Sequence, residues 1–589
     1  MKKIINKPED IVREMCNGIV LAHPSVVLVS KYMVIKKKNL NKNKVSLISG
    51  GGSGHEPAHA GFIGEGMLDA AVCGDVFASP SQIQVYGAIR ETAGNKGTLL
   101  IIKNYSGDMM NFKNAAALAR EDGITVDYVK VDDDIAVQDS LYTVGCRGVA
   151  GTIFVHKIAG AAAEKGLSLP EVKSVAEKVV KNVHSIGFAL TSCTVPAKGS
   201  PTFELSGDEM EYGVGIHGEP GIRREKMMDA KSLAKRMTDS LCGELGFAPD
   251  GTKHRVAVLI NGFGGTPLLE LYLFNNAVSR ELSEKNIEIA RVFVGNFMTS
   301  IDMAGASLSI LKLDSELESL LNSPCDTPAF KVNGPSEPSG YSDPFEAAAI
   351  DESLVCFEIE TPDKYAVIAG DLTVENMVYI VDVMSEAIIK NEVPFCELDS
   401  HAGDGDFGMS IAKGFRQLKR EWKNITAAPG LDIGAFLGTC ALIIMEHCGG
   451  ASGPIWGSAF RWAGKQADGK KSLTTTEFAG ILQVAVKGIQ ITGERSFGRG
   501  AVVGDKTLID ALVPCADAWS AGAKEGLGFG ELFAKGAEAA VAGAKSTEKI
   551  VARMGRAGTA GERSLGYPDA GAYGLGVIFG EIAKAVRTE

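Results

Sequence analysis

Short apolar runs punctuate the first part of the chain. Residues 45–49 (Val-Ser-Leu-Ile-Ser) lead into a run of glycines, residues 98–103 (Thr-Leu-Leu-Ile-Ile-Lys) lead into Asn-Tyr-Ser-Gly-Asp, and residues 126–131 form a third run. Residues 256–260, 290–294 and 307–311 repeat the pattern further on. Runs of this length, separated by stretches with helical spacing, predict βαβ units and a parallel or mixed sheet with flanking helices up to about residue 330. Between residues 328 and 351 the character changes: Val-Asn-Gly-Pro-Ser-Glu-Pro-Ser-Gly-Tyr-Ser-Asp-Pro is rich in turn formers and poor in apolar side chains, and reads as an exposed linker. Beyond it the period becomes helical, over residues 374–389 and near 432–447, 476–491, 507–522 and 530–545. The expected organisation is an α/β domain over 1–330, a linker over 331–356 and an all-α domain over 357–589. No short tandem repeat is evident.

The totals fit this division. At 589 residues the chain exceeds one ordinary core. All four tryptophans lie after the linker, which supports two separate cores. The net charge of −12 argues against a general nucleic-acid binder, which needs clustered cations. No apolar run is long enough to span a bilayer, and the N-terminal residues do not read as a secretory signal. The 11 cysteines are scattered without a C-x-x-C pair, as expected of reduced thiols in a cytoplasmic protein. Glycine is abundant, with 70 residues, which suggests many tight loops that carry backbone close to ligands.

Candidate chemistry lies in those loops. Residues 399–408 (Asp-Ser-His-Ala-Gly-Asp-Gly-Asp-Phe-Gly) place Asp399, Asp404 and Asp406 within eight positions. Convergent carboxylates suit a hard cation that also keeps water and phosphate oxygens in its shell; a solvated acidic turn is the alternative. Gly449-Gly-Ala-Ser-Gly-Pro454 could present backbone N–H groups to a phosphate. Residues 498–507 resemble a P-loop, but Asp505 separates Gly504 from Lys506. In the first half, Ser49-Gly-Gly-Gly-Ser-Gly-His55 follows a strand and offers a floor poor in Cβ atoms with one imidazole. Lys103-Asn-Tyr-Ser-Gly-Asp108 ends another strand, where Asp108 could take a proton or simply cap the next helix. His217, among Gly213, Gly215, Gly218 and Gly221, reads as an imidazole exposed on mobile backbone, able to attack a carbonyl, or as a surface residue of a glycine turn. His23, His156 and His184 have no such setting and are expected to be structural.

Taken together, Gly-Gly-Gly-Ser-Gly-His-Glu-Pro, Lys-Asn-Tyr-Ser-Gly-Asp and Gly-Ile-His-Gly-Glu-Pro-Gly resemble the substrate-domain signatures of the dihydroxyacetone kinase family. The acidic loop, Gly-Gly-Ala-Ser-Gly, Gly-Asp-Lys-Thr and Gly-Arg-Ala resemble those of its nucleotide domain, an all-helical barrel. The resemblance covers almost the whole chain in family order. It implies that His217 binds the ketone carbon as a hemiaminal, a selection against polyols such as glycerol. It implies that His55 and Asp108 hydrogen-bond the substrate hydroxyls, one of them taking the proton, and that Gly52, Ser53, Gly54 and Lys103 line the pocket. Asp399, Asp404 and Asp406 would hold Mg²⁺ against ATP. Phe407, Gly408, Met409, Ser410, Ala451, Ser452, Gly500, Thr507, Leu508, Arg556, Asp569, Ala570 and Gly571 would contact the nucleotide. Phe407, Leu508, Ala570 and the Gly558-Thr pair depart from residues frequent in the family. Forms fused on one chain resemble ATP users rather than carriers of a phosphotransferase pathway. The implied activity is phosphorylation of dihydroxyacetone or a close short-chain ketose by a homodimer. The alternatives are an erythrulose kinase, a lyase forming cyclic FMN from FAD, or a ligand-binding regulator.

Overall fold

The computed structural model describes residues 2–137, 139–140, 143–219, 221–247, 253–338, 340–343, 357–554, 558 and 561–588. It divides into two compact units, Met1–Glu346 and Ala347–Glu589, each with cores of its own.

The first unit is built on two six-stranded sheets. One contains β1 (Val26–Val29), β2 (Val34–Lys37), β3 (Ser46–Ser53), β4 (Ala70–Val76), β5 (Thr98–Lys103) and β6 (Val126–Val131), in the order β1-β2-β4-β3-β5-β6. Its β4-β3-β5-β6 portion is parallel, and the β1–β2 hairpin adds antiparallel to the edge. The other contains β7 (Val183–Ala189), β8 (Glu209–Tyr212), β9 (Arg223–Lys226), β10 (His254–Gly262), β11 (Ile287–Gly295) and β12 (Gly305–Lys312), in the order β9-β8-β7-β12-β10-β11. Here only β10 and β11 are parallel. The mixed-sheet expectation therefore holds, but βαβ units describe the first sheet better than the second.

Strand β3 runs past residue 49 through the glycines to Ser53, because Gly50, Gly51 and Gly52 pair with Val72, Cys73 and Gly74 of β4. The glycine run is thus strand, not loop. It carries the chain to the carboxyl edge of the parallel sheet, where ligands of open α/β sheets collect. Lys103 ends β5 at the same edge, and the helix Ser106–Glu121 starts three residues later.

The second unit is a ring of helices, with apolar stripes turned inward. Val374–Lys390 packs on Phe407–Arg420, which packs on Ile433–His447. Ser452–Gln466, Thr475–Phe497, Ile509–Lys524 and Phe529–Ser546 then follow in order, and Ala570–Ala585 returns to Val374–Lys390. This closed ring is the barrel that the family resemblance implies. Its centre is wholly apolar and holds a cavity of about 120 Å³, lined by residues such as Met377, Ile380 and Phe478. Four interhelical loops, carrying Asp399–Asp406, Gly449–Ala451, Ala501–Leu508 and Asp569, line a separate cavity.

Candidate functional site

The first unit brings His55 and His217 together from positions 162 residues apart, Nε2 to Nε2 at 3.2 Å. Their rings meet edge to face, with centroids 4.7 Å apart. Phe77 stacks on His55 at 5.1 Å and meets the edge of His217 at 5.2 Å. Gly54 has φ +104°, and a Cβ there would lie 2.8 Å from the Phe77 ring, so both the turn and the stack require glycine. A segment that the sequence did not reveal holds this loop from the other sheet. Thr299 N–H donates to the His55 carbonyl (3.1 Å) and Ile301 N–H to that of Gly54 (2.8 Å).

The hydrogen bonds fix the state of the pair. His55 Nδ1 lies 2.8 Å from the Thr299 carbonyl, which can only accept, so Nδ1 carries the hydrogen. Burial, then the charge of Lys103, holds the His55 pKa well below its ordinary value, so the ring is neutral and Nε2 offers a lone pair. His217 Nε2 is then the donor across the 3.2 Å contact. Burial, Lys103 and Arg147 keep His217 neutral too. His55 is fully enclosed, whereas His217 keeps part of its surface open. It is not the exposed imidazole on mobile backbone that the glycines suggested: Tyr105 meets its ring at 4.5 Å and Glu219 accepts its backbone N–H at 2.9 Å.

Lys103 and Asp108 lie over Gly51. A Cβ at Gly51 would be 3.6 Å from Lys103 Nζ and 3.3 Å from Asp108 Oδ2. Lys103 Nζ and Asp108 Oδ1 are buried without hydrogen-bond partners, a costly condition that a polar ligand relieves. Burial pushes the Asp108 carboxyl up, while Lys103 and Ser79 oppose it; burial pushes the Lys103 ammonium down, with Asp108 the leading opposition. Asp108 does not cap its helix. Tyr105 occupies the cap position, and Asp108 lies in the first turn, where the helix dipole favours an anion. Gly52 and Ser53 end β3, and Gly54 makes the turn to His55.

Buried histidines make this unit sensitive to acid. His55, His59 and His156 are all enclosed, with pKa values lowered chiefly by burial, that of His156 to about 3. The unfolded chain takes up protons at these residues below its ordinary histidine pKa of 6.5. The folded chain does not, so the unfolded state binds more protons and stability is lost as pH falls. Each group then costs about 1.4 kcal/mol per pH unit. Denaturant titrations of the whole chain should show the first unit weakening steeply from pH 6.5 to 5, and His156→Gln should flatten that slope.

In the second unit, one oxygen from each of Asp399, Asp404 and Asp406 lies within 4.8 Å of the others. Asp399 ends the helix Glu392–Asp399, and Asp406 precedes Phe407–Arg420. Asp399 Oδ2 accepts Gly405 N–H at 2.9 Å, and Gly403 is held so close to Asp399 that a side chain would collide with its carboxylate. Burial, partly offset by backbone N–H groups, pushes the Asp399 carboxyl up, and the charges of Asp404 and Asp406 add to the push. An all-oxygen, incompletely wrapped cluster of this kind fits Mg²⁺.

The adjoining cavity, of about 210 Å³, is lined by Phe407, Ser410, Ala451, Ser452, Thr507, Leu508, Asp569, Ala570 and Gly571 among others. Three expected contacts lie elsewhere. Gly408 packs against the Glu392 carbonyl, where only glycine fits. Met409 is 57% exposed, and its N–H donates to Cys396 Sγ at 3.2 Å. Gly500 packs on Gln490, and Ala501 faces the cavity instead. Arg556 lies outside the described residues. Phe407, Ile455, Trp456, Phe497 and Met554 give the cavity an apolar side that the loop motifs did not indicate.

Asp569 caps Ala570–Ala585, accepting Ala572 N–H at 2.8 Å, and burial pushes its carboxyl up to about 7. Lys506 lines the cavity but spends its ammonium internally. Nζ donates to the carbonyls of Thr547 (2.8 Å), Tyr567 (2.7 Å) and Ser564, matching its three N–H groups. This explains in physical terms why the P-loop resemblance fails. Lys506→Met should therefore loosen the Tyr567–Asp569 arm and weaken nucleotide binding about tenfold, measured by calorimetry, while ketose affinity stays unchanged.

Both units match known domain families. Residues 17–329 match the Dak1 domain and residues 401–584 match the DAK2 domain. The dihydroxyacetone-binding subunit DhaK of a PTS-dependent dihydroxyacetone kinase from Listeria innocua is 51% identical over 332 residues, which is 56% of this chain and 100% of that subunit. Triokinase/FMN cyclase of Rattus norvegicus is 33% identical, covering 100% of this chain and 99% of that protein. D-erythrulose kinase of Mycolicibacterium smegmatis is also 33% identical, with 100% and 99% covered. The crystal structure of the C. freundii dihydroxyacetone kinase in complex with AMP-PNP and Mg²⁺ matches with a TM-score of 0.58 at 31% identity, covering 99% of each chain. Fold and sites define a two-domain kinase of the glycerone kinase type. The chain belongs to the dihydroxyacetone kinase family, with both domains on one polypeptide.

Among the described residues, no helix is long and apolar enough to cross a membrane.

Proposed function

We propose that this protein phosphorylates the terminal hydroxyl of dihydroxyacetone, or a close short-chain ketose, with ATP and Mg²⁺, and holds the ketose as a hemiaminal on His217. The observation that carries this reading is the neutral His55–His217 pair together with Lys103 Nζ and Asp108 Oδ1, both buried without hydrogen-bond partners. His217 passes its Nε2 proton to His55 Nε2 and attacks the ketone carbon. A C–N bond forms, and the carbonyl oxygen takes the electron pair. His55, poorly stable as a buried imidazolium, returns the proton to that oxygen, so the adduct is neutral. Asp108 accepts the proton of the terminal hydroxyl, and Lys103 orients the substrate oxygens. Glycerol has no carbonyl and cannot be held in this way.

Residues 1–330 then form the ketose domain, 357–589 the nucleotide domain and 331–356 their connection. Asp399, Asp404 and Asp406 hold Mg²⁺, which neutralises phosphate charge when bound. The N–H groups ahead of the helix Ser452–Gln466 receive phosphate, and the side of the cavity formed by Phe407, Trp456 and Leu508 receives the base. Two chains associate as a homodimer, which sedimentation would detect.

Likeness to a D-erythrulose kinase over the full length supports a second reading, in which the ketose has four carbons. A coupled assay with ATP across dihydroxyacetone, glyceraldehyde, both erythrulose enantiomers and glycerol, with FAD as a separate substrate, ranks these readings. The ketoses should lead. Turnover of glycerol at a comparable rate would refute the covalent role of His217, and cyclic FMN as the main product would favour the lyase.

A further inference from the structure

The residue that holds His217 in place is far from it in sequence. Arg147 lies between β6 and the helix Thr152–Glu164, and it is only 1% exposed. Its guanidinium makes three directed contacts. Nε donates to Asp134 Oδ2 at 2.7 Å, Nη2 to the Gly213 carbonyl at 2.8 Å, and Nη1 to Glu219 Oε1 at 3.2 Å. The other oxygen of Glu219 accepts the backbone N–H of His217 at 2.9 Å. One planar fork thus pins residues 213 and 219, and His217 is suspended between them.

The surroundings are shaped for this fork. A Cβ at Gly215 would lie 2.7 Å from Arg147 Nη1 and would collide with Glu219, so this glycine admits the Arg147–Glu219 pair. Asp134 is anchored in turn: its N–H donates to the Arg147 carbonyl at 3.0 Å, its Oδ1 accepts Ala136 N–H at 2.9 Å, and it bridges to Ser185 of β7. The His217 loop is therefore referenced through Arg147 to the exit of one sheet and to a strand of the other. Neither Arg147 nor Glu219 meets His55, Lys103 or Asp108 in a hydrogen bond.

We propose that Arg147, acting through Glu219, is the positioning residue that keeps His217 Nε2 in register with His55 Nε2, so that ketose capture depends on a side chain that does not touch the ketose. This inference rests on the reading of His217 as the group that captures the ketose. Lysine cannot substitute, since the N–H groups of an ammonium diverge from one atom and cannot reproduce the spread, planar fork of a guanidinium. A displacement of His217 by about 1 Å is enough to cost on the order of 100-fold in rate.

The test is a double-mutant cycle on the full chain, following ketose kcat/KM, the KM for ATP and thermal unfolding together. Arg147→Lys should lower ketose kcat/KM by about 100-fold, with the KM for ATP unchanged. Glu219→Gln, which keeps the shape and is safer for folding, should lower it in the same direction. In a His217→Ala background, Glu219→Gln should have no further effect on the residual turnover, measured at high enzyme concentration; a merely structural role would cost activity in both backgrounds. Wild-type kcat/KM in a folded Arg147→Lys or Glu219→Gln variant, or an equal loss with and without His217, would overturn the proposal. Wild-type turnover in His217→Ala alone would instead remove the reading beneath it.

Discussion

Asp404→Ala should cut phosphoryl transfer by roughly 10²–10³-fold while leaving ketose capture and the fold intact. Asp404 is the best of the three acidic positions for this experiment because it is exposed, so its removal should change stability by no more than about 0.5 kcal/mol. Asp399, by contrast, accepts Gly405 N–H and is wedged against Gly403, and its loss would also disorder the loop. Phosphoryl transfer depends on positioning and on neutralising phosphate charge, with little other chemistry for the protein to perform. Losing one preorganised electrostatic contact in such a site costs roughly 10²–10³-fold in kcat. Steady-state kinetics with an Mg²⁺ titration would show this loss with no saturation in the wild-type Mg²⁺ range. Unfolding curves would superimpose on wild type. Turnover within a few-fold of wild type would remove the triad from the metal site.

His217→Ala should have the other large effect, and on selectivity more than on stability. On the proposed mechanism the imidazole converts a weakly held small ketose into a fixed adduct, and fixing a reactant in place is worth orders of magnitude in rate. The variant should lose at least about 10³-fold in kcat/KM for dihydroxyacetone. Its residual preference for dihydroxyacetone over glycerol should nearly vanish, because what remains recognises hydroxyls and no longer a carbonyl. Nucleotide affinity, which the proposal assigns to the other unit, should not change. The selectivity ratio is the sharper readout, since a general loss of activity would lower both substrates together.

Much of this was legible in the sequence, for identifiable reasons. Thr98–Lys103 and Val126–Val131 announce themselves as strands because they are short, rich in β-branched residues and bounded by turn formers. Ala70–Val76 and Arg223–Lys226 do not. The first is buried without an alternating pattern, and the second is a charged, exposed edge strand held by backbone pairing with β8. Gly50–Gly52 read as loop because glycine is a poor strand former, yet pairing with β4 overrides that preference. The acidic triad was legible because its members are neighbours in sequence.

The His55–His217 contact, the Thr299 carbonyl that sets the tautomer and the Arg147 fork were not, because they join segments brought together only by the two sheets. Lys506 shows the same limit: its position beside Thr507 suggests a phosphate contact, and only the placement of residues 547, 564 and 567 reveals where its charge goes.

The proposed covalent bond from His217 to the ketose is the step on which selectivity depends. Its most direct test is a crystal of the whole protein soaked with dihydroxyacetone in the absence of nucleotide. Continuous density is expected from His217 Nε2 to a tetrahedral C2, with Lys103 and Asp108 hydrogen-bonded to substrate oxygens. A planar ketone lying at van der Waals distance from His217 would contradict it.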